Sequence, residues 1–287
     1  MSSCTELRFD QGERKFFALS GESALSSNSL RGREGAGRVV LFGVPFDRVS
    51  LEGALARIDG WVGDPHPKRS RTVMTPDTPA LMRARRDPLL RGAYQQADLV
   101  TPDGAGIVWG ARSLGLDAPL AERVSGIDLA EGLLARGARR GYRFFFLGAR
   151  PGVAREAARR LRERYPGLRV VGTHHGYFSE PEEPALVAGI NALRPDVLLV
   201  GLGVPKQELW MLRHREALKV PVMIGVGGSF DVWSGRARRA PESWQRLGLE
   251  WLWRALREPH RWERARAIPQ FMGLVLLQRA LSGLSQL

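Results

Sequence analysis

The sequence predicts an α/β fold: a Rossmann-like, mostly parallel sheet with helices on both faces, followed by a C-terminal helical appendage. Three observations carry that expectation. From Arg38 onward, short apolar runs alternate with longer segments of helical period, the pattern of parallel strands joined by helical crossovers. Several of those runs end in glycine clusters, at 148–152, 201–203 and 225–228, and in open α/β sheets ligands bind at such strand ends. Beyond Gly235 the alternation stops and arginine and tryptophan take over.

The elements follow in order. Residues 1–37 are rich in Ser, Gly and charge without a sustained period, so a disordered extension is expected. Val39–Phe42 reads as a strand and Leu51–Val62 as a helix with apolar residues at helical spacing. Thr72–Met74 is a strand, Pro79–Arg86 and Pro88–Gln96 are helices, and Leu99–Thr101 is a short strand before helices near 105–114 and 126–140. A βαβ unit comes next: strand Arg143–Leu147, a loop at 148–152, helix Val153–Tyr165 and strand Leu168–Gly172. Helix Pro184–Leu193, strand Val197–Val200, helix Lys206–Ala217 and strand Val222–Val226 complete the sheet. Residues 38–241 form the α/β domain on this reading, and 242–287 a basic helical appendage broken at Pro259.

The chain has 287 residues, 44% hydrophobic and 25% charged, which suits one sizeable globular core. Its formal net charge is +13, carried almost wholly by arginine, since lysine occurs only at Lys15, Lys68, Lys206 and Lys219. That balance favours anionic partners: nucleic acid, acidic lipid surfaces or phosphorylated substrates. A single cysteine, Cys4, excludes an intramolecular disulfide and fits a reducing, cytosolic setting. No apolar core follows the first Met, so no signal peptide is expected. The longest apolar run, Phe271–Leu277, falls far short of the ~20 residues that span a bilayer.

The chemistry-bearing residues sit at predicted strand ends. In Thr101-Pro102-Asp103-Gly104-Ala105-Gly106 a carboxylate precedes two near-adjacent glycines at a strand-to-helix turn, which lets a ligand approach the backbone. Asp is also a preferred helix cap, so the local pattern alone allows Asp103 to be only that. The loop at Gly148 lacks the full dinucleotide fingerprint, and no Walker pattern is present; a nicotinamide or P-loop enzyme is not expected. Its amides still suit an anion, although an ordinary turn would look the same. Gly201-Leu202-Gly203-Val204-Pro205-Lys206-Gln207-Glu208 places a cation, an amide and a carboxylate in one helical turn. Lys206 suits phosphate, and Gln207 and Glu208 suit uracil or ribose hydroxyls, while Glu208 could equally complement the helix dipole. Gly227 and Asp231 repeat the theme at the next strand end. The arginines of the tail suit phosphate, interleaved Trp suits a bilayer interface, and a solvated basic face is the plain alternative. His174 and His175 are adjacent but have no second cluster at metal-ligand spacing, so no metal site and no cofactor are expected.

Taken together, these segments resemble the WecG/TagA/CpsF glycosyltransferase family from about Arg38 to Arg266. The resemblance rests on six ordered blocks: 101–106, Glu122-Arg123-Val124-Ser125-Gly126, Leu147-Gly148, 201–208, 225–231, and Arg239-Ala240-Pro241 with Leu249-Glu250-Trp251 through Arg264. It implies a membrane-associated, inverting, metal-independent enzyme that moves a sugar from a UDP donor to a saccharide on undecaprenyl pyrophosphate. It assigns Asp103 as general base; Thr75, Gly104 and Arg123 to the substrate pocket; and Gly148, Gly201, Gly203, Lys206, Gln207, Glu208, Gly227 and Asp231 to the nucleotide. Arg254, Arg261 and Arg264 have the spacing of arginines that grip the lipid pyrophosphate. Asp77, also placed in the substrate pocket, stands where the family usually has Asn, so a second carboxylate near Asp103 could alter its proton affinity or select a different donor sugar. The implied location is the cytoplasmic face of the bacterial inner membrane, with no nucleic-acid partner and with homo-oligomerisation open. The competing expectation is a basic α/β protein that binds nucleic acid or another anion without transferase activity.

Overall fold

The computed structural model describes residues 37–64, 68–116, 120, 122–257 and 262–284, all within one compact unit. Residues 1–36 of the expected disordered extension (1–37), the expected break at Pro259 and Arg261 lie outside the described residues. The elements run β1 (Arg38–Leu41), β2 (Val44–Asp47), α1 (Leu51–Val62), β3 (Arg71–Met74), α2 (Thr78–Ala84), α3 (Pro88–Gln96), β4 (Leu99–Val100), α4 (Ala105–Ser113) and α5 (Gly126–Arg140). They continue with β5 (Arg143–Gly148), α6 (Val153–Arg164), β6 (Arg169–His174), α7 (Glu183–Leu193), β7 (Val197–Gly201), α8 (Lys206–His214), β8 (Val222–Gly225) and α9 (Ser229–Trp233). Four C-terminal helices follow: α10 (Glu242–Arg246), α11 (Glu250–Arg257), α12 (Trp262–Ala265) and α13 (Ala267–Leu284).

Six strands form one sheet in the order β4-β3-β8-β7-β5-β6, and every pairing in it is parallel. Their carboxyl ends therefore share one edge. The chain leaves β5 towards β6 on one side and returns to β7 on the other, which makes the β5/β7 crevice a topological switch point. Both sheet faces are covered. Leu198 and Val200 of β7 join a core with the hairpin and α2, α3, α4, α8 and α13, while Val197 and Leu199 join a second core with α1, α5, α6 and α9. A strand buried on both faces reads as a continuous apolar run for this reason.

Local signals explain the helices whose bounds the sequence predicts best. Ser50 caps α1 by accepting from the Gly53 amide, and Asp87 caps α3 ahead of Pro88 at its first position. The N-terminal strand requires a correction. It ends at Leu41, and Phe42 and Gly43 form a turn with φ of 48° and 83°, from which β2 returns antiparallel to β1. Two positive φ values are the signature of the tight hairpin turn. Phe42 is a poor residue for it, but its ring packs edge-on against Phe271 at 5.8 Å.

The last helix shares the core of the α/β unit. Phe271 and Val275 of α13 are fully buried, and a Cβ on Gly110 of α4 would lie 2.6 Å from the Phe271 ring. Phe271→Ala is expected to lower stability by about 3–5 kcal/mol, read as an equally lower unfolding free energy in denaturant titration. The outer side of α13 leaves Met272, Leu276, Leu277 and Leu281 exposed. Among the described residues no helix is long and apolar enough to cross a membrane.

Candidate functional site

Asp103 does not cap the helix that follows it. The cap position of α4 is Gly104, which has no side-chain acceptor and holds φ 142°, a conformation only glycine adopts readily. The Asp103 carboxylate instead reaches across to the first residue of α5, where the Gly126 amide donates to Oδ2 at 3.0 Å. The two segments are stitched together beside it: Val124 N–H donates to the Pro102 carbonyl at 3.0 Å, and the buried Thr101 hydroxyl donates to the Val124 carbonyl at 3.0 Å. Thr75, at the end of β3, donates to the Gly225 carbonyl at 3.2 Å, and a Cβ on Gly126 would fall 2.5 Å from its hydroxyl oxygen. Gly126 is thus what allows α5 to start against Thr75 and aim an amide at Asp103.

Burial is the main reason the Asp103 carboxyl is pushed up to about 7. The Gly126 amide and the Arg123 guanidinium oppose that rise, and the negative charges of Asp77 and Glu250 add to it. The residue as a whole keeps partial exposure at the edge of the sheet, where a bound group could exchange a proton with it. A carboxylate with that affinity is an effective proton acceptor at neutral pH.

Asp77 caps α2, accepting from the Ala80 amide through Oδ1 at 2.9 Å, and its Oδ2 takes Arg264 Nη2 at 2.9 Å. It therefore shares the electrostatic field of Asp103 without touching it. Asn would serve equally as the cap but could not pair with Arg264. Because that ion pair is half exposed, Asp77→Asn is expected to change stability by only ~0–1 kcal/mol, a shift of no more than ~4 °C in a thermal melt. Arg264 also lines an open groove of about 580 Å³ between α2 and the C-terminal helices, with Arg83, Arg86 and Arg266 on its walls. The side chain of Arg254 lies outside the described residues.

The glycine positions gather at the switch point. Gly148 (φ 143°) pairs with Gly201 in register, and a Cβ on Gly148 would lie 2.3 Å from the Gly201 carbonyl oxygen. Gly203 and Gly227 also hold positive φ, 77° and 50°. Lys206 is exposed; its ammonium donates to the Gly176 carbonyl at 3.0 Å and sits 4.6 Å from the centre of the Phe178 ring. Gln207 and Glu208 turn inward from the same helical turn and are buried. Gln207 donates to Glu208 Oε1 at 2.8 Å and accepts from the Gly227 amide at 3.1 Å, so the pair shapes the β8 loop from beneath. Burial raises the Glu208 carboxyl to about 7, and its Oε2 has no hydrogen-bond partner among the described residues. The nearby Tyr94 hydroxyl is likewise buried and unpartnered; burial, then the charges of Glu208 and Asp77, raise its pKa. Asp231 lies on the short helix α9, where its carbonyl accepts from Ala237 N–H and Ser234 Oγ. The rings of His174 and His175 lie 4.5 Å apart, inclined at 44°, and among the described residues no group of three or more His, Cys, Asp or Glu is arranged to hold a metal ion.

Sequence reasoning assigned no role to Asp128 or to the Arg239–Glu250 pairing. Arg123 lies between two carboxylates, Asp128 at 3.5 Å and Glu250 at 3.4 Å, and Arg239 reaches the same two. Arg239 and Glu250 are motif residues, but their partners Asp128 and Arg123 lie more than a hundred positions away and leave no periodic signal.

Comparison with known proteins gives a consistent result. A model of the glycosyl transferase WecG/TagA/CpsF family matches residues 39–284. The chain is 35% identical over 204 residues to the N-acetylglucosaminyldiphosphoundecaprenol N-acetyl-beta-D-mannosaminyltransferase of Bacillus spizizenii, covering 71% of this chain and 78% of that one. It is 32% identical over 240 residues to the protein of the same name from Staphylococcus aureus, covering 84% and 92%.

Proposed function

Since the chain belongs to the WecG/TagA/CpsF glycosyltransferase family, we propose that it transfers a sugar from a UDP donor to a saccharide carried on undecaprenyl diphosphate, with inversion and with Asp103 as general base. The observation that carries this reading is the Asp103 carboxylate, held on the Gly126 amide at the sheet edge with its proton affinity near neutrality. In the reaction, an acceptor hydroxyl oxygen attacks the anomeric carbon, its proton passes to Asp103, and the bond to the diphosphate oxygen breaks. One base on the acceptor side suffices for such a displacement.

The donor diphosphate is assigned to the β5/β7 crevice, where the Gly148 loop offers amides and the N-terminus of the twelve-residue helix α6. Lys206 is assigned to the leaving group: its ammonium bonds the carbonyl of Gly176, a residue that packs against the Gly148 loop. β3 and β5 stand three strand spacings apart, about 14 Å, so a nucleotide in the crevice extends its sugar towards Thr75 and Asp103. The acceptor diphosphate is assigned to the arginine groove beside Asp77. The exposed apolar residues of α13 and the arginines around them suit a peripheral site on an anionic leaflet, where each basic residue contributes about 1 kcal/mol. That is the cytoplasmic face of a bacterial inner membrane on this reading.

The names of the relatives make UDP-N-acetylmannosamine the first donor to test and an N-acetylglucosamine-capped lipid diphosphate the first acceptor. The test is a panel of radiolabelled UDP-sugars incubated with that acceptor. Label is expected in the lipid fraction with one member of the panel. Label in no lipid product, with UDP nonetheless bound, would remove the assignment.

A further inference from the structure

Gly248 occupies a left-handed turn (φ 72°) between α10 and α11, and a Cβ there would stand 2.6 Å from that of Ala105. Ala105 opens α4, two residues after Asp103. The α10–α11 turn therefore rests on the turn that carries the catalytic carboxylate. Two residues further on, Glu250 opens α11 with a side chain only 16% exposed. Its Oε2 accepts from Arg123 Nη1 at 3.4 Å, and its Oε1 lies 4.0 Å from Arg239 Nε, a buried nitrogen with no hydrogen-bond partner among the described residues. Asp128 closes the ring from α5, taking Arg239 Nη2 at 2.6 Å and Arg123 Nη2 at 3.5 Å. Asp128 is itself fixed by the Ser125 hydroxyl at 2.5 Å.

We propose that Glu250 is a positioning residue for the transfer reaction: it holds the Arg123 guanidinium in a ring of ion pairs next to the strand-end segment that anchors Asp103. The inference rests on the reading of Asp103 as base. Arg123 is 22% exposed and shared between two carboxylates, so its charge draws the proton affinity of Asp103 down without overcoming burial. Without Glu250 the guanidinium keeps, among the described residues, the ion pair to Asp128 at 3.5 Å and can turn towards Asp103. Pairing there would lower the proton affinity of the base and occupy the place of the acceptor hydroxyl. Among the described residues, the charges that act most strongly on Asp103 are those of Asp77, Arg123 and Glu250, beside the Gly126 amide. Removing the charge of Glu250 both deletes one repulsive carboxylate and releases one attractive cation, and the two effects have the same sign.

The test follows Asp103 directly in the full chain, by carboxyl-carbon NMR of Asp-labelled protein, with its resonance assigned by disappearance in Asp103→Asn. Glu250→Gln is expected to lower the Asp103 midpoint by about 0.5–1 pH unit, and Glu250→Asp to restore most of that shift. In the transfer assay Glu250→Gln should lower kcat about 10-fold through misplacement of Arg123 and leave KM for the UDP-sugar within about twofold. Gly248→Ala lifts the same turn off Ala105 without altering any charge and should move the midpoint the same way. A folded Glu250→Gln or Gly248→Ala whose Asp103 midpoint matches wild type would overturn the inference, whether or not transfer is observed. Failure of wild type to transfer any sugar counts against the proposed function instead, and the titration still decides the role of Glu250.

Discussion

Asp103→Asn should lower kcat for sugar transfer by about 10²- to 10⁴-fold, the range that a positioned general base supplies, without loss of the fold. Asn keeps an oxygen to accept from the Gly126 amide, so the turn retains its anchor. In wild type, kcat/KM should climb with pH through about 7, where the buried carboxyl ionises, and not through the ~4 of a free Asp. Stability should move in the opposite sense. The folded carboxyl binds its proton more tightly than the unfolded one, so ionising it in the native state disfavours folding at and above pH 7. That penalty fades as pH falls and is absent below about 4, where both states are protonated. Asp103→Asn carries no such penalty. It should therefore melt a few degrees above wild type at pH 8 and converge with it near pH 4, as differential scanning calorimetry at the two pH values would read.

Gly148→Ala should have the second large effect, and on the donor side. A methyl group there would overlap the Gly201 carbonyl oxygen at 2.3 Å and its carbon at 2.5 Å, both backbone atoms that cannot rotate away. The position also holds φ 143°. Overpacking and backbone strain each cost ~1–3 kcal/mol, so a loss of roughly 2–6 kcal/mol is expected, visible as a melting temperature lower by ~5–20 °C. UDP should cease to raise the melting temperature of what remains folded, because the crevice between β5 and β7 is forced open. Gly203→Ala is the matched control: it meets no atom within 4 Å but keeps the left-handed φ of 77°, so only the strain of ~1 kcal/mol remains.

These two residues mark what the sequence makes legible. The fold class follows from alternation, and Leu51–Val62 and Pro88–Gln96 match their observed bounds because capping residues and a proline fix their starts. Strand order is not written locally: nothing in the period of 222–225 says that β8 inserts between β3 and β7. The hairpin was hidden because Phe42 carries a turn conformation that its own chemistry disfavours and Phe271, more than two hundred residues away, supports.

The candidate site divides in the same way. Glycines at strand ends mark the crevice in the sequence, since a backbone approach leaves a compositional trace. The direction of a side chain does not. Lys206, Gln207 and Glu208 look like one polar cluster, but the helix sends the first to solvent and the next two into the protein. Asp103 reads as a cap for its own helix because the amide it serves begins a helix 23 residues later. Arg123, Asp128, Arg239 and Glu250 form a closed ring that only tertiary structure assembles.

The most direct measurement is the anomeric configuration of the product, read by NMR after the purified chain is given an α-linked UDP-sugar and a lipid-diphosphate-linked acceptor. A single displacement assisted by Asp103 predicts one β-linked sugar on the acceptor for each UDP released. Retention of the α configuration, or UDP release without transfer, would contradict it.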